Sequence, residues 1–145
     1  MHDLPRKLST DQLAELFEGR TRLVERLAKR EDPLGSAHDV LADLSDEEKL
    51  EALNAHPAIG ARRLSARSAA EQGTDDERAT FTELERLNRA YERRFGFRFV
   101  VFVNRRPKSE IVPVLRERLG RTREQELDTA LKELIAIARD RAARC

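Results

Sequence analysis

Apolar residues recur along this chain at spacings of three and four, the interval that places side chains on one face of an α-helix. Leu13, Leu16 and Phe17 do so in "DQLAELFEG", behind Ser9 or Thr10 as the cap and ahead of Gly19 as the stop. Leu23, Val24 and Leu27 do so in "RTRLVERLAKRE", which Pro33 and Gly35 then break. "SAHDVLADL" is a third candidate, and Ser45 followed three residues later by Glu48 has the capping-box pattern for the helix "EEKLEALNA". That helix should stop near His56, because the residue before Pro57 is pushed out of the helical region. Thr74 and Glu77 form a second box ahead of the clearest stripe in the chain, Phe81, Leu84, Leu87, Tyr91 and Phe95, which Gly96 ends.

The pattern changes at "FRFVVFV", residues 97–103, which has the composition of a strand but stands alone between helices. It reads as an extended, buried segment rather than part of a sheet. "SEIVPVLRERLG" returns to helix, with Pro113 tolerable in a first turn or at a kink. In the terminal "TREQELDTALKELIAIARDRAAR", Leu127, Leu131, Leu134, Ile135 and Ala138 face inward. The expected fold is all-α: a single-domain, multi-helix bundle over residues 1–145 with one isolated extended segment at about 97–103.

Composition narrows the function classes. Charged residues are 38% of the chain, but 28 basic side chains stand against 27 acidic ones, without the basic excess of an electrostatic nucleic-acid binder. Arg dominates the basic set, which contains five Lys, and Arg is the better side chain for gripping carboxylates with two donors. The lone cysteine, Cys145, allows neither an intramolecular disulfide nor a Cys-based metal site. No apolar run has the length of a membrane span, and "MHDLPRKLST" has no apolar core of a signal peptide, so a cytoplasmic protein without membrane or nucleic-acid partners is expected.

Three histidines, His2, His38 and His56, are too scattered to form a helix-borne metal pair, and no metal is expected. His56 differs from the other two. It sits where a helix must stop, with Pro57 stiffening the chain beyond it and Gly60 allowing a close turn. An imidazole there either caps the helix or projects into a cleft as a proton donor or acceptor near neutral pH. Further on, "SAAEQ" offers a hydroxyl, a carboxylate and an amide at Ser68, Glu71 and Gln72, with the small Ala69 and Ala70 leaving room for a polar ring. The same five residues would equally make helical surface. Phosphate loops, nucleophile elbows and Cys-His pairs are missing, so covalent nucleophilic catalysis is not expected.

"HPAIG", "SAAEQ", "LNRAYERRFGFRFVVFV" and "ELIAIARDR", in this order and across nearly the whole chain, resemble the 2-oxo-4-hydroxy-4-carboxy-5-ureidoimidazoline (OHCU) decarboxylases. The resemblance implies a cofactor-free enzyme that completes urate oxidation to (S)-allantoin, with a ureidoimidazoline as its small-molecule partner and a homodimer as its assembly. It places His56 on the catalytic proton donor, Pro57 beside it in the substrate site, and Glu71 as the histidine's acidic partner. Ser68, Ala69, Ala70 and Gln72 fall in the binding stretch. Phe99, Val100, Val101, Phe102 and Val103 become backbone contacts to ureido and ring amides, which would explain a strand with no partner strand. A functional arginine near the end matches Arg141, but Asp140 and Ala142 replace its usual apolar neighbours, which leaves Arg139 as the alternative. Two other readings stand beside this one: a non-catalytic helical interaction module, and a related cofactor-free enzyme on another ureido or imidazoline compound.

Overall fold

The computed structural model describes residues 7–57 and 75–144, and in these the chain forms seven helices and no strand. They are α1 (Thr10–Phe17), α2 (Arg22–Leu27), α3 (Ala37–Ala42), α4 (Asp46–Ala55), α5 (Asp75–Phe95), α6 (Lys108–Leu119) and α7 (Arg123–Arg144). Ser9 is the cap of α1: its hydroxyl accepts from the Gln12 N–H at 3.1 Å while its own N–H donates to Gln12 Oε1 at 2.9 Å. The expected box at α4 is present too, with Ser45 N–H donating to Glu48 Oε1 at 2.9 Å. Of the Thr74–Glu77 box, Thr74 and the side chain of Glu77 lie outside what the structure describes.

Two helix ends differ from expectation. α1 stops one residue early, at a left-handed Glu18 (φ 65°), and Gly19 serves a different purpose: a Cβ there would stand 3.2 Å from Ala55 Cβ. Glycine therefore lets the end of α1 lie against the end of α4. α2 contains its whole apolar pattern but is shorter than the stretch around it: Thr21 caps it and turns follow at residues 28–30, where Lys7 Nζ donates to the Ala28 and Arg30 carbonyls. Pro113 lies in the second turn of α6 and is exposed, so the N–H it lacks is missing on the solvent side.

α7 packs along α1, α3 and α4, α2 fills the space against α1, α3 and α4, and α5 and α6 lie against one another. Every residue of the α5 stripe, Phe81, Leu84, Leu87, Tyr91 and Phe95, is buried, as are Leu127, Leu131, Leu134, Ile135 and Ala138 of α7. Each large side chain of this kind contributes about 1.5–3 kcal/mol by leaving water. After Gly96 (φ 81°) the chain bends at Phe97 and runs through 98–103 with neither helix nor strand, Phe97, Phe99, Val100 and Val101 being buried, and then turns at Asn104 and Arg105, both left-handed. Tyr91, Phe95, Phe97 and Phe99 form one aromatic cluster, with Tyr91 centroid distances of 4.6, 5.9 and 5.3 Å to the three phenylalanines. The extended segment is thereby anchored to α5 by its side chains.

Candidate functional site

His56 is the residue that ends α4. Its backbone is extended (φ −80°, ψ 135°), its N–H reaches back to the Leu53 carbonyl at 3.2 Å, and both it and Pro57 are half-buried. The expected effect of Pro57 on the preceding residue is therefore present in the backbone. The His56 carbonyl accepts from the Arg98 guanidinium at 2.8 Å, and the Arg98 N–H donates to Asn54 Oδ1 at 3.1 Å. The end of α4 and the start of the extended segment are thus side by side. Asn54, Glu92, Gly96, Phe97 and Arg98 line a hollow of about 350 Å³ next to them.

A lone extended chain has the hydrogen-bonding capacity of a strand and no ladder to spend it on. Side chains take the place of one neighbouring strand. In extended backbone the N–H and C=O of successive residues point to opposite edges, and the even-numbered edge is held: Arg98 N–H by Asn54, Val100 C=O by Arg118 at 2.8 Å, Phe102 N–H by Glu133 at 2.9 Å and Phe102 C=O by Arg106 at 2.7 Å. Arg106 also closes on the Val103 carbonyl at 2.9 Å as the chain turns. Among the described residues no hydrogen bond engages the backbone of Phe99 or Val101. Of the five residues expected to offer backbone to a ligand, Phe102 has both groups and Val100 and Val103 their carbonyls engaged by the protein, and Phe99 and Val101 form the open edge.

Arg118 belongs to a buried polar network that the sequence did not disclose. Its Nε donates to Glu126 Oε1 at 2.7 Å, Tyr91 Oη donates to the same oxygen at 2.5 Å, and Arg121 takes Glu126 Oε2 at 2.9 Å. Glu126 has no exposure and Arg118 has 4%. The guanidinium also lies 4.6 Å over the Phe99 ring. Burial first, and then the carboxylate it faces, pushes the Tyr91 hydroxyl far above its ordinary range, so it remains a neutral donor. One network thus ties α5, α6, α7 and the extended segment together.

Arg141 donates to the Leu16 carbonyl at 3.0 Å and pairs with Glu18 at 3.0 Å, at the end of α1 that abuts Ala55. Arg139 leaves α7 in another direction and binds the Leu34 carbonyl at 2.8 Å. Ser68, Ala69, Ala70, Glu71 and Gln72 lie outside the described residues. His38 is exposed on α3, at the side of a separate cleft of about 620 Å³ whose apolar floor includes Leu41, Leu127 and Leu131. No group of three or more His, Cys, Asp or Glu suited to a metal occurs among the described residues, and no described helix is long and apolar enough to cross a membrane.

The sequence reading missed Asn54, Arg98, Arg118 and Glu133. A signal for them existed: a strand without a partner strand obliges other groups to satisfy its backbone, and Arg, Asn and Glu are the side chains with the reach and donors or acceptors to do so.

The sequence profile of the OHCU decarboxylases matches residues 2–143. The chain is 31% identical over 145 residues to a 2-oxo-4-hydroxy-4-carboxy-5-ureidoimidazoline decarboxylase of Haloferax volcanii, covering 92% of this chain and 86% of that one. It is 33% identical over 146 residues to a uric acid degradation bifunctional protein of Bacillus subtilis, of which it spans 29%. A crystal structure of OHCU decarboxylase in the presence of (S)-allantoin superposes with a TM-score of 0.74 at 25% identity, covering 92% of this chain and 96% of the other. An (S)-allantoin synthase structure gives 0.69 at 25% identity, over 93% of this chain and 48% of that one.

Proposed function

The chain belongs to the OHCU decarboxylase family, and from that premise we propose that His56 is the general acid that makes its decarboxylation stereospecific. The reaction itself is that of a carboxy-lyase in urate degradation, OHCU to allantoin and CO₂. Family membership sets aside the reading as a non-catalytic helical module. The observation that carries the proposal is the juxtaposition of the His56 turn with the extended segment, bridged by Arg98.

The substrate's own structure explains what the protein must supply. When the bond from C4 to the carboxylate breaks, CO₂ leaves and the electron pair forms a C4–C5 double bond, while the ring C=N at C5 takes up charge on nitrogen. Transfer of a proton to C5 then sets the configuration, while the 4-hydroxyl gives up its proton, the ring nitrogen takes one up, and the C4–O bond becomes the ring carbonyl of allantoin. The enzyme's part is orientation, charge stabilisation and a proton delivered to one face. Imidazolium at His56 gives that proton. Glu71 keeps the ring oriented, and Pro57, Ser68, Ala69, Ala70 and Gln72 surround the substrate, in line with the motif resemblance. The open backbone edge at Phe99 and Val101 pairs with the ureido and ring amides, and Arg141 holds an anionic or carbonyl oxygen. We assign the whole chain to one such domain, acting as a cytoplasmic homodimer.

The test uses freshly generated OHCU. Unaided decay yields racemic allantoin, because nothing in solution selects a face, so optical activity of the product is the sharper readout. The expected result is faster decay and optically active allantoin with the parent protein. His56→Asn should fold normally and lose rate by about 10² to 10⁴, the usual scale of general-acid help, together with optical purity. Unchanged turnover and optical purity in His56→Asn would remove the histidine from the chemistry.

A further inference from the structure

A helix normally finishes with N–H groups from the residues beyond it folding back onto its last carbonyls. In α4 the His56 N–H makes one such bond, to the Leu53 carbonyl, but the next residue is Pro57, which has no N–H, and the last turn of α4 contains no basic side chain to face the negative end of the helix dipole. Arg98 supplies the missing cation from a distant part of the chain. Its guanidinium donates to the His56 carbonyl at 2.8 Å, and its backbone N–H donates to Asn54 Oδ1 at 3.1 Å, so it grips the end of α4 at two points.

The geometry gives this grip a role beyond stability. The carbonyl that Arg98 holds is that of the His56–Pro57 peptide, whose direction follows from the ψ angle of His56, 135°. The peptide before His56 is fixed by the N–H bond to Leu53, with φ at −80°. With both flanking planes fixed, the Cα–Cβ bond of His56 has one direction, and the imidazole moves only about its own side-chain torsions. Arg98 is also the first residue of the held edge of the extended segment, immediately before Phe99 of the open edge. We infer that Arg98 is a positioning residue for the decarboxylation, setting the His56 turn in register with the backbone edge that receives the substrate. This rests on His56 being the proton donor.

The variants are Arg98→Met, which keeps the stem and removes the donors, and Arg98→Lys, which keeps one charged donor. Arg98 is only part-buried, so both are expected to fold. Assayed well below their thermal midpoints, R98M should lose about 10- to 100-fold in kcat with KM within about threefold, the pattern of a misplaced catalytic group, and its allantoin should lose optical purity. R98K should recover most of both. A role in capping alone would lower the thermal midpoint and leave kcat and optical purity unchanged, which would overturn the inference. R98K no better than R98M would overturn it as well, since a single donated bond is all that is asked of the side chain. If R98M fails to fold, Asn54→Ala carries the test: reduced kcat with KM held supports the inference, and unchanged kcat overturns it. His56→Asn alongside separates two failures. An active His56→Asn removes the proton-donor reading itself, whereas an inactive one beside a normal R98M removes only the role of Arg98.

Discussion

Tyr91 is the one tyrosine of a chain without tryptophan, and it is fully buried with its hydroxyl 2.5 Å from Glu126. Its ultraviolet absorbance therefore reports a single buried hydrogen bond. Because its folded pKa lies above the ordinary value near 10, the hydroxyl contributes stability that is fully present below that pH and is lost as the pH rises above it. In an alkaline titration, tyrosinate absorbance should appear only together with unfolding measured by circular dichroism; tyrosinate in a folded chain would contradict the burial. Tyr91→Phe should cost about 1.5–3 kcal/mol in denaturant unfolding, the usual contribution of a hydrogen bond to a charged group. Arg118 and Arg121 still hold Glu126 in that variant, which keeps the loss below that of an unpaired buried charge. At this scale the sequence was only half legible. Tyr91 sits on the apolar stripe of α5 and reads as core, while its partner Glu126, next to Leu127 in a helix rich in charge, reads as surface.

Elements were the most legible scale, because a capping box or an apolar stripe is a local property. Ser45 with Glu48, the stripe from Phe81 to Phe95 and the stop at Gly96 all formed where the spacing put them. What local pattern does not contain is which helices meet, and the α5–α6 pairing shows it. Glu83 of α5 accepts from Arg86 on its own helix at 2.7 Å and from Arg116 of α6 at 2.6 Å, and these two bonds, with Arg86 the larger influence, hold its carboxyl down to about 2. A carboxyl lowered in the folded state stabilises the fold above its ordinary pKa near 4.5, and that contribution disappears as the pH falls toward about 2. Glu83→Gln should therefore melt below the parent at neutral pH, with the difference closing between pH 4.5 and about 2 in thermal scans across that range. Glu48 and Glu51 are also lowered, by the backbone N–H groups of Ser45 and Arg22, so the parent loses stability in acid by more than this one pair. A difference between parent and Glu83→Gln that does not depend on pH would show that the ion pair is not its source.

For the molecule as a whole, the proposed site arginine is Arg141, with Arg139 as its alternative from the motif match, and the two side chains go to different places. Two residues apart on a helix, they leave it about 200° from each other and cannot serve the same place. Arg141 reaches the Leu16 carbonyl and Glu18, at the end of α1; Gly19 brings that end against Ala55, and the next residue is His56. Arg139 reaches the Leu34 carbonyl, in the connection between α2 and α3. Arg141 thus stands at the end of α1 that meets the end of α4, a meeting that depends on a glycine that sequence reading had taken for a helix stop. Arg141→Met should lower turnover of OHCU by about 10- to 100-fold, the scale of a lost or misplaced substrate contact. Arg139→Met loses a carbonyl contact of similar kind and should melt lower while turning over within about twofold of the parent, as expected for a residue that binds neither substrate nor transition state. Steady-state kinetics on the two variants, each matched by a thermal scan, decide between them: a slow Arg139→Met beside a normal Arg141→Met would move the functional arginine to the other face of α7.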